Sequence, residues 1–425
     1  MASAARNSFH RGLRMETGEP PLKVLFIEQF GVGGLAHYAH SLCQALAERG
    51  LEVTLLTSRG YELADQPRSF TLCDILPLWN PWAQPPSHTR LSRWLRWLSK
   101  GLRYAWGLWL SILTLWRLRP DILHLSEMKF LGDLLLVFAP TRARRVLTCH
   151  NVQRFVERGG QAGVVRDRGA WFFAQRLMYR RAHGLIFHSG ENVAEFRRVF
   201  GFTPRRYAVI PHGEYDLFVP QQVPSPAEAR QRLGLPAVGR LVLFFGALRR
   251  YKGLDVLVEA LALVRQVSPD VVLVVAGAPL ADVDLPALQA RACQLGLADG
   301  IIWHIRYIPH REVHLYFFAS DLIALPYCKA YDSGVLKIAQ SLGRPVVVTD
   351  TGGLAAAVEH GKAGMVVPPE DAEALAAALT ELLSDPQRAA ALARRGQELA
   401  RTVFAWATVA GRTEQFYWEV LGCAC

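Results

Sequence analysis

Short apolar runs alternate with segments of helical periodicity along almost the whole chain. In the first half, the strand-like runs are residues 22–28, 51–57, 121–125, 145–149, 184–188 and 207–210. Helical patterns separate several of these runs, at 35–49, 104–118, 167–182 and 190–200. Continuous apolar strands that alternate with helices favour a parallel sheet covered by helices on both faces.

The alternation breaks in the proline-rich text of residues 213–238 and then starts again, with strand-like runs at 241–245, 271–276, 301–303, 322–325 and 345–348. A chain of 425 residues exceeds what one hydrophobic core usually serves. We therefore predict an α/β protein with two doubly wound, Rossmann-like domains that face a cleft, at 22–215 and 216–404. Residues 1–21 are predicted to be a disordered tail, and residues 405–425 a C-terminal helix that packs back on the first domain.

Cysteine usage and apolar runs suggest where the protein works. The seven cysteines are scattered and odd in number, which favours a reducing cytosol over a disulfide framework or a metal cluster. Residues 1–21 lack the apolar region of a secretory signal. The longest apolar run in a helical segment, 104–116, is shorter than the roughly 20 residues of a membrane span. We expect a cytoplasmic protein, either soluble or peripheral on the inner membrane face.

The formal net charge of +11 indicates an anionic partner. Residues 75–120 contain no Asp or Glu, seven Arg or Lys, and seven of the 11 Trp. Helical spacing places basic residues of 90–103 on one face, a composition that suits an anionic membrane surface. The predicted contact residues are Arg93, Trp94, Arg96, Trp97 and Lys100. The alternative is an ordinary domain helix with a solvated arginine face, and residues 104–118 are predicted to lie in the core.

The turn after the first strand contains Gly31, Gly33 and Gly34 and leads into a helix. Such a turn could be a dinucleotide fingerprint with a phosphate at the helix N-terminus. That interpretation requires an acidic residue after the second strand, where the chain reads Ser58-Arg59, so NAD binding is disfavoured. A turn that approaches a different phosphate and a purely structural turn both stay open.

The second half offers two more turns suited to anions. Gly246 begins a turn that carries Arg249 and Lys252 at the carboxyl end of a strand, which makes a credible diphosphate site. The alternative is a set of solvated loop charges. The residues of 333–335, Ser-Gly-Val, open a helix whose free N–H groups could hold an anion. Together these turns predict a nucleoside diphosphate between the domains.

Several motifs in one order resemble the retaining family-4 glycosyltransferases of the GT-B fold. These motifs are Thr148-Cys149-His150-Asn151, Ile210-Pro211-His212-Gly213, Tyr251-Lys252-Gly253-Leu254-Asp255, Ser333-Gly334-Val335-Leu336 and Gly343-Arg344-Pro345-Val346-Val347. The resemblance covers about residues 22–420, and the combination is specific although each motif alone is weak.

The resemblance implies a role for each matching residue. The implied catalytic residues are His150, Lys252 and Arg249, and the implied donor-diphosphate residues are Gly33, Gly34, Gly246, Ser333, Gly334 and Val335. Tyr307 and Ile308 are implied to hold the nucleobase. Fixed cations and N–H dipoles would stabilise the departing diphosphate, so no metal and no cofactor is expected beyond the nucleotide sugar. The motif Asp282-Val283-Asp284 is predicted to lie in a solvated loop.

The predicted function is transfer of a sugar from a nucleoside diphosphate sugar to a lipid-linked or polysaccharide acceptor at the cytoplasmic membrane face. Ala330 and Ile338 stand where most of the family carries glutamates. The alternative is therefore a degenerate homologue that binds nucleotide sugar or a protein partner without turnover. Nucleic-acid binding is not expected, because no recognition motif is present and the positive charge is dispersed outside 90–119. A GT-B epimerase fits the motifs less well than a transferase.

Overall fold

The computed structural model describes residues 20–80, 90–152, 169–330 and 332–422, with the backbone alone for residues 90–93. Most of the predicted N-terminal tail, residues 1–19, and the last three residues of the predicted C-terminal segment lie outside the described residues.

The first domain is built on a seven-stranded parallel sheet. Its strands are β1 (Lys23–Ile27), β2 (Glu52–Ser58), β3 (Thr71–Leu76), β4 (Ile122–Leu125), β5 (Arg144–Cys149), β6 (Gly184–Phe187) and β7 (Tyr207–Val209). The strand order is β3-β2-β1-β4-β5-β6-β7. The order reverses between β1 and β4, and ligands of open α/β sheets bind outside the carboxyl ends of the strands at such a point.

The second domain has a six-stranded parallel sheet. Its strands are β8 (Arg240–Phe245), β9 (Val271–Ala276), β10 (Ile301–His304), β11 (Leu322–Leu325), β12 (Val346–Thr349) and β13 (Met365–Val367). The strand order β10-β9-β8-β11-β12-β13 repeats the reversal, here between β8 and β11. The prediction of two doubly wound, Rossmann-like domains is confirmed.

Helices cover both sheets. They are α1 (Gly34–Glu48), α2 (Arg90–Leu118), α3 (Leu134–Phe138), α4 (Ala170–Arg181), α5 (Gly190–Phe200), α6 (Pro226–Leu233), α7 (Leu254–Val267), α8 (Leu285–Gln294), α9 (His310–Ala319), α10 (Gly334–Ser341), α11 (Leu354–Ala357), α12 (Ala372–Ser384), α13 (Pro386–Thr402) and α14 (Trp406–Leu421). Helices that precede a parallel strand run antiparallel to it, so α1 and α10 begin at the carboxyl edges of the two sheets.

The prediction that residues 104–118 form core is wrong for one face of this segment. Residues 90–118 form one continuous helix, α2, in which Leu115 and Ser111 are buried against the domain. The opposite face is exposed along its described length and carries Trp94, Leu98, Leu102, Trp106, Trp109, Leu113 and Trp116. Because these positions repeat every three or four residues, they form one apolar stripe.

Helix α14 follows the second domain in sequence but packs on the first. Phe416, Tyr417 and Val420 lie in the same hydrophobic cluster as the α1 residues. A Cβ atom on Gly184 would lie 2.7 Å from the Phe416 ring and 2.6 Å from a Val420 methyl group, so the close approach of α14 to β6 requires a glycine. The described end of the chain therefore packs on the first domain.

Candidate functional site

A buried carboxylate holds the glycine loop that follows β1. Glu28 accepts hydrogen bonds from the amides of Gly31 at 2.6 Å and Phe30 at 3.3 Å, and burial raises its pKa. Gly31 has φ 71°, and a Cβ atom there would lie 3.0 Å from Thr57 Oγ1, so this position requires glycine. The loop delivers Gly34 to the start of α1, where the first-turn amides lack intrahelical acceptors.

A second carboxylate, Glu62, joins this loop to the second domain. Its Oε2 accepts hydrogen bonds from the Gly33 amide at 2.9 Å, from His37 Nε2 at 3.2 Å and from the Tyr307 hydroxyl at 2.6 Å. Its Oε1 accepts from the His310 amide at 3.1 Å. Burial alone would raise the pKa of Glu62, but these donors outweigh it and lower the pKa to about 2.

This contact changes the expectation for two predicted site residues. The amide of Gly33 already donates to Glu62, so Gly33 can favour a bound diphosphate only through its missing side chain. The Tyr307 hydroxyl donates to the same carboxylate, so a nucleobase would meet the ring of Tyr307 rather than its hydroxyl. The Ile308 side chain is buried in the core of the second domain, so only its backbone can meet a nucleobase.

Lys252 lies at the end of the β8 turn with its ammonium buried. Within the described chain, no carboxylate is within ion-pairing distance of it, and Nζ lies 5.6 Å from the centre of the Tyr327 ring. Burial, and secondarily the charge of Arg249, lowers the pKa of Lys252 to about 8. A Cβ atom on Gly246 would lie 3.2 Å from Lys252 Nζ and 3.4 Å from a Val335 methyl group. Three predicted diphosphate residues therefore meet at one point.

The prediction that Asp282 lies in a solvated loop is wrong. Its Oδ2 accepts from Arg249 Nε at 2.8 Å and from the Arg250 amide at 3.3 Å, and its side chain is mostly buried. Asp284, by contrast, caps α8 through the Ala287 amide at 3.1 Å. Asp282 thus neutralises the charge of Arg249 and orients its side chain. The ammonium of Lys252 has no such carboxylate partner in the described chain.

The N-terminus of α10 contributes backbone donors beside Lys252. Ser333 caps this helix, with Oγ accepting from the Leu336 amide at 3.2 Å, so its hydroxyl is already employed in the helix cap. The amides of Gly334 and Val335 belong to the first turn and have no intrahelical acceptor. They and the positive end of the helix dipole favour an anion here.

Tyr215, in the connection between the domains, brings the two helix N-termini together. Its buried hydroxyl lies 3.4 Å from the Gly34 carbonyl oxygen. Cβ atoms on Gly34 and Gly334 would lie 3.8 Å and 3.0 Å from the same hydroxyl. The glycine turns of both domains therefore face one another across a single side chain.

His150 ends β5 beside this point, with its ring centre 4.7 Å from that of Tyr38 on α1. His150 Nδ1 lies 3.0 Å from His188 Nε2, and His188 Nδ1 lies 3.0 Å from the Ile210 carbonyl oxygen. A carbonyl can only accept, so His188 Nδ1 carries the proton, its Nε2 accepts, and His150 Nδ1 donates. The unprotonated Nε2 of His150 is then buried without a hydrogen-bond partner in the described chain.

Burial lowers the pKa of His150 and of His188, which keeps both rings neutral at physiological pH. Burial also lowers the pKa of His212 to about 4. Asp332 adds a negative charge near His188 and His212, and its own pKa is lowered by Lys337 and by these two rings although burial opposes the shift. Neutral His150 therefore presents a bare acceptor, suited to a donor such as a sugar hydroxyl.

The two positions that depart from the family pattern carry no polar group. Ala330 and Ile338 are both buried members of the hydrophobic core of the second domain. Asp332 lies between these two positions in sequence. Its carboxylate interacts electrostatically with His188 and His212. Spacing within a motif does not indicate this residue, because Asp332 occupies neither family position.

The predicted membrane-contact residues lie at the start of α2, which reaches the glycine loop through Trp79, whose ring centre is 5.9 Å from that of Phe30. Trp94 and Trp97 are 61% and 77% exposed, and Lys100 Nζ lies 4.9 Å from the centre of the Trp79 ring. Arg96 is half-buried, and the side chain of Arg93 is outside the described residues. None of the helices in the described ranges is both long and apolar enough to cross a membrane. In the same ranges, no group of His, Cys, Asp or Glu is arranged to hold a metal ion.

Replacement of Glu62 by Gln is expected to destabilise the contact between the domains. The lowered pKa corresponds to about 3 kcal/mol of stabilisation at neutral pH, so we expect Glu62→Gln to lower the free energy of unfolding by about 2–3 kcal/mol at pH 7. Glu52→Gln, at an exposed carboxylate 3.6 Å from Lys23 Nζ, is the matched control and should change it by less than about 0.5 kcal/mol.

The pH dependence of the same variant provides a second check by denaturant unfolding. Because the folded-state pKa of Glu62 is lowered, its stabilisation is present above pH 4.5 and is lost as the pH falls from 4.5 toward 2. The difference between wild type and Glu62→Gln should therefore narrow between pH 5 and pH 3. A constant difference over that interval would contradict the assignment.

Comparisons with known proteins match both halves of the chain. Residues 32–213 match the family described as "Glycosyltransferase Family 4", and residues 239–385 match the family described as "Glycosyl transferases group 1". The D-inositol 3-phosphate glycosyltransferase of Thermobispora bispora is 32% identical over 247 residues, which are 56% of this chain and 56% of that protein. That of Corynebacterium urealyticum is 31% identical over 238 residues, 55% of this chain and 56% of that protein. The chain thus spans about half the length of the curated relatives it matches.

Solved structures match the fold over nearly the whole chain. Sucrose-phosphate synthase from Thermosynechococcus elongatus has a TM-score of 0.71 at 21% identity, over 96% of this chain and all of that one. Anabaena Alr3699/HepE, in complex with UDP and glucose, has a TM-score of 0.70 at 19% identity, over 92% and 98% of the two chains. With the two family matches covering more than three quarters of its length, the chain belongs to the family 4 (group 1) glycosyltransferases and has the GT-B fold.

Proposed function

We propose that this protein is a retaining hexosyltransferase that takes a sugar from a nucleoside diphosphate sugar without a metal ion. The observation that carries the proposal is the buried, carboxylate-free ammonium of Lys252, which lies beside Gly246 and the N-terminus of α10. Burial of an unpaired charge is costly, and a bound diphosphate relieves that cost. Support also comes from the solved Anabaena structure, whose ligands are UDP and glucose.

In the proposed reaction, the bond between the anomeric carbon and the diphosphate oxygen breaks, and the acceptor oxygen bonds to the same face of that carbon. Negative charge grows on the leaving diphosphate, where Lys252, Arg249 and the amides of α10 stabilise it. The acceptor proton passes to the leaving phosphate. His150 accepts a hydrogen bond from a donor-sugar hydroxyl through its bare Nε2 and thereby orients the sugar.

The proposed acceptor is a lipid-linked sugar or a growing polysaccharide at the inner face of the membrane. The support for this acceptor is the apolar stripe of α2, whose exposed tryptophans and leucines are accompanied by Arg96, Lys100 and Arg103. Trp and basic residues on one helix suit the headgroup region of an anionic bilayer. The curated relatives are named for D-inositol 3-phosphate, which makes a soluble inositol phosphate the competing acceptor.

A degenerate homologue is the second candidate, and the observation that favours it is the burial of Ala330 and Ile338 in the core. No carboxylate stands at either position, where most of the family carries glutamates. This candidate predicts nucleotide binding with no product from any acceptor.

The donor site is tested by thermal shifts with UDP, GDP, ADP, dTDP and CMP. One nucleoside diphosphate, at about 100 times its dissociation constant, should stabilise the wild type by about 2.7 kcal/mol. Lys252→Ala should lose this shift, because the mutation removes the buried cation. His150→Ala is the matched control, since it should keep the nucleotide shift while lowering turnover.

The outcomes separate the candidates. A shift in wild type with no product from lipid-linked, polysaccharide or inositol phosphate acceptors would favour the degenerate homologue. A shift that is unchanged in Lys252→Ala, or the absence of any shift, would refute the donor site proposed here.

Membrane contact is tested by flotation with vesicles. The double variant Trp94→Ser/Trp97→Ser should bind phospholipid vesicles at least about tenfold more weakly, because each large apolar side chain contributes on the order of 1.5 kcal/mol when buried. Val238→Ser/Val267→Ser removes two exposed apolar residues of the second domain and serves as the control. Equal losses in the two variants, or no loss in either, would refute membrane contact through α2.

A further inference from the structure

The fold gathers arginines at the edge of the first sheet that faces away from the glycine turns. Arg180 and Arg181 end α4, and Arg205 and Arg206 precede β7. They line a cavity of about 450 Å³ together with Phe202 and Thr203. We call this cavity the arginine pocket. Its size is within the range of small-molecule sites.

The charge of the arginine pocket is not balanced by the protein. Within the described chain, none of its four arginines forms an ion pair with a carboxylate. Helices α4 and α5 both end at this edge, and their two dipoles together supply roughly one negative charge. The four guanidinium groups carry four positive charges on exposed residues, so the pocket keeps a net positive charge that an external anion can reach.

Two of these guanidinium groups lie within cation–π distance of an aromatic ring. Arg180 lies 5.1 Å from the centre of the Phe202 ring, and Arg181 lies 5.1 Å from that of Phe138. Stacking on a ring uses the face of a guanidinium and leaves the N–H groups at its edge free to donate. Forked N–H donors of this kind match the oxygens of a phosphate group.

The pocket adjoins an exposed apolar surface. Phe138, whose ring contacts Arg181, is itself exposed, and Phe173 and Leu177 of α4 are exposed beside it. Trp116, the last residue of the apolar stripe of α2, donates its indole N–H to the Pro140 carbonyl oxygen at 3.1 Å, just after α3. The apolar surface therefore extends from α2 across α3 to the rim of the pocket.

We propose that the arginine pocket binds the headgroup phosphate of an anionic membrane lipid. The apolar surface at its rim would meet the acyl boundary while the four arginines reach the phosphate, and anchoring of a peripheral protein is firmer with two such signals. This inference rests on the membrane contact of the proposed function. It adds a lipid site at the opposite edge of the sheet from the donor turns.

The test uses the double variant Arg205→Gln/Arg206→Gln in flotation with vesicles. Two vesicle types are compared, pure phosphatidylcholine and phosphatidylcholine with one quarter phosphatidylglycerol. Binding to the anionic vesicles should weaken about 30-fold, because each basic residue at an anionic surface contributes about 1 kcal/mol. Binding to the neutral vesicles should not change, since the apolar surface is intact.

The control is Arg232→Gln/Arg240→Gln, which removes the same charge from exposed arginines of the second domain. Its anionic-vesicle binding should change less than threefold. Equal losses in the pocket and control variants would show that net charge alone is responsible and would overturn the proposal. Equal melting temperatures of the variants and wild type confirm that both remain folded.

Soluble ligands separate the lipid from other anions. If inorganic phosphate or an oligonucleotide binds the wild type and loses affinity in the pocket variant while vesicle binding does not, the lipid assignment is overturned. The nucleotide thermal shift is read in parallel and should be unchanged by the pocket substitutions. A missing nucleotide shift in the wild type would count against the proposed function, whereas weakened vesicle binding with an intact shift concerns the pocket.

Discussion

The burial of the Lys252 ammonium without a carboxylate partner among the described residues is the constraint on which the account of the site depends. A buried cation normally has a carboxylate beside it, and the structure provides one for Arg249, through Asp282, but not for Lys252. Because Gly246 has no side chain, the space beside the Lys252 ammonium stays open. The first turn of α10, which includes Val335, adds backbone N–H groups near this space. An anion between these groups would complete an arrangement that the protein leaves open.

The two domains contribute differently to this arrangement. In the second domain, the amides of Gly334 and Val335 have no intrahelical acceptor. In the first domain, the amide of Gly33 is already satisfied by Glu62, which also binds Tyr307 and His310 of the second domain. The first glycine turn therefore contributes its shape and a contact between the domains, whereas the second domain contributes the cations and the helix N-terminus. The side chain of Tyr215 lies between Gly34 and Gly334, the first residues of the two helices.

The architecture could be predicted because strands buried on both faces are apolar throughout, and their order along the chain sets their order in space. Two edge strands escaped prediction: β3 is largely half-exposed and includes Asp74, and β13 has only three residues. The core prediction for 104–118 failed on one face of the helix, because an apolar stripe has the same sequence pattern whether it packs against a sheet or is exposed to solvent. Loop charge likewise suggested that Asp282 is solvated, whereas its partner Arg249 is 33 residues away.

Glu62, His188 and the arginine pocket lay beyond sequence reasoning for the same reason. Each depends on contacts between residues that are far apart in the chain, such as Glu62 with Tyr307 or Arg181 with Arg205. No local spacing indicates that His188 fixes the tautomer of His150, because the Ile210 carbonyl that orients it comes from the next connection. The positions of the turns at Gly246 and Ser333 could be predicted, since glycine, cations and a helix start follow one another directly in the sequence.

The most direct test of the central claim is the pH dependence of nucleoside diphosphate affinity, measured by calorimetry between pH 7.5 and 9.5. In the protein without nucleotide, burial lowers the pKa of Lys252 to about 8, and a bound diphosphate should raise this pKa again. The affinity for the diphosphate should therefore fall up to tenfold per pH unit above pH 8. In Lys252→Arg, whose cation stays charged throughout, the affinity should be nearly independent of pH. Identical pH profiles in the two proteins would contradict the claim that Lys252 holds the diphosphate.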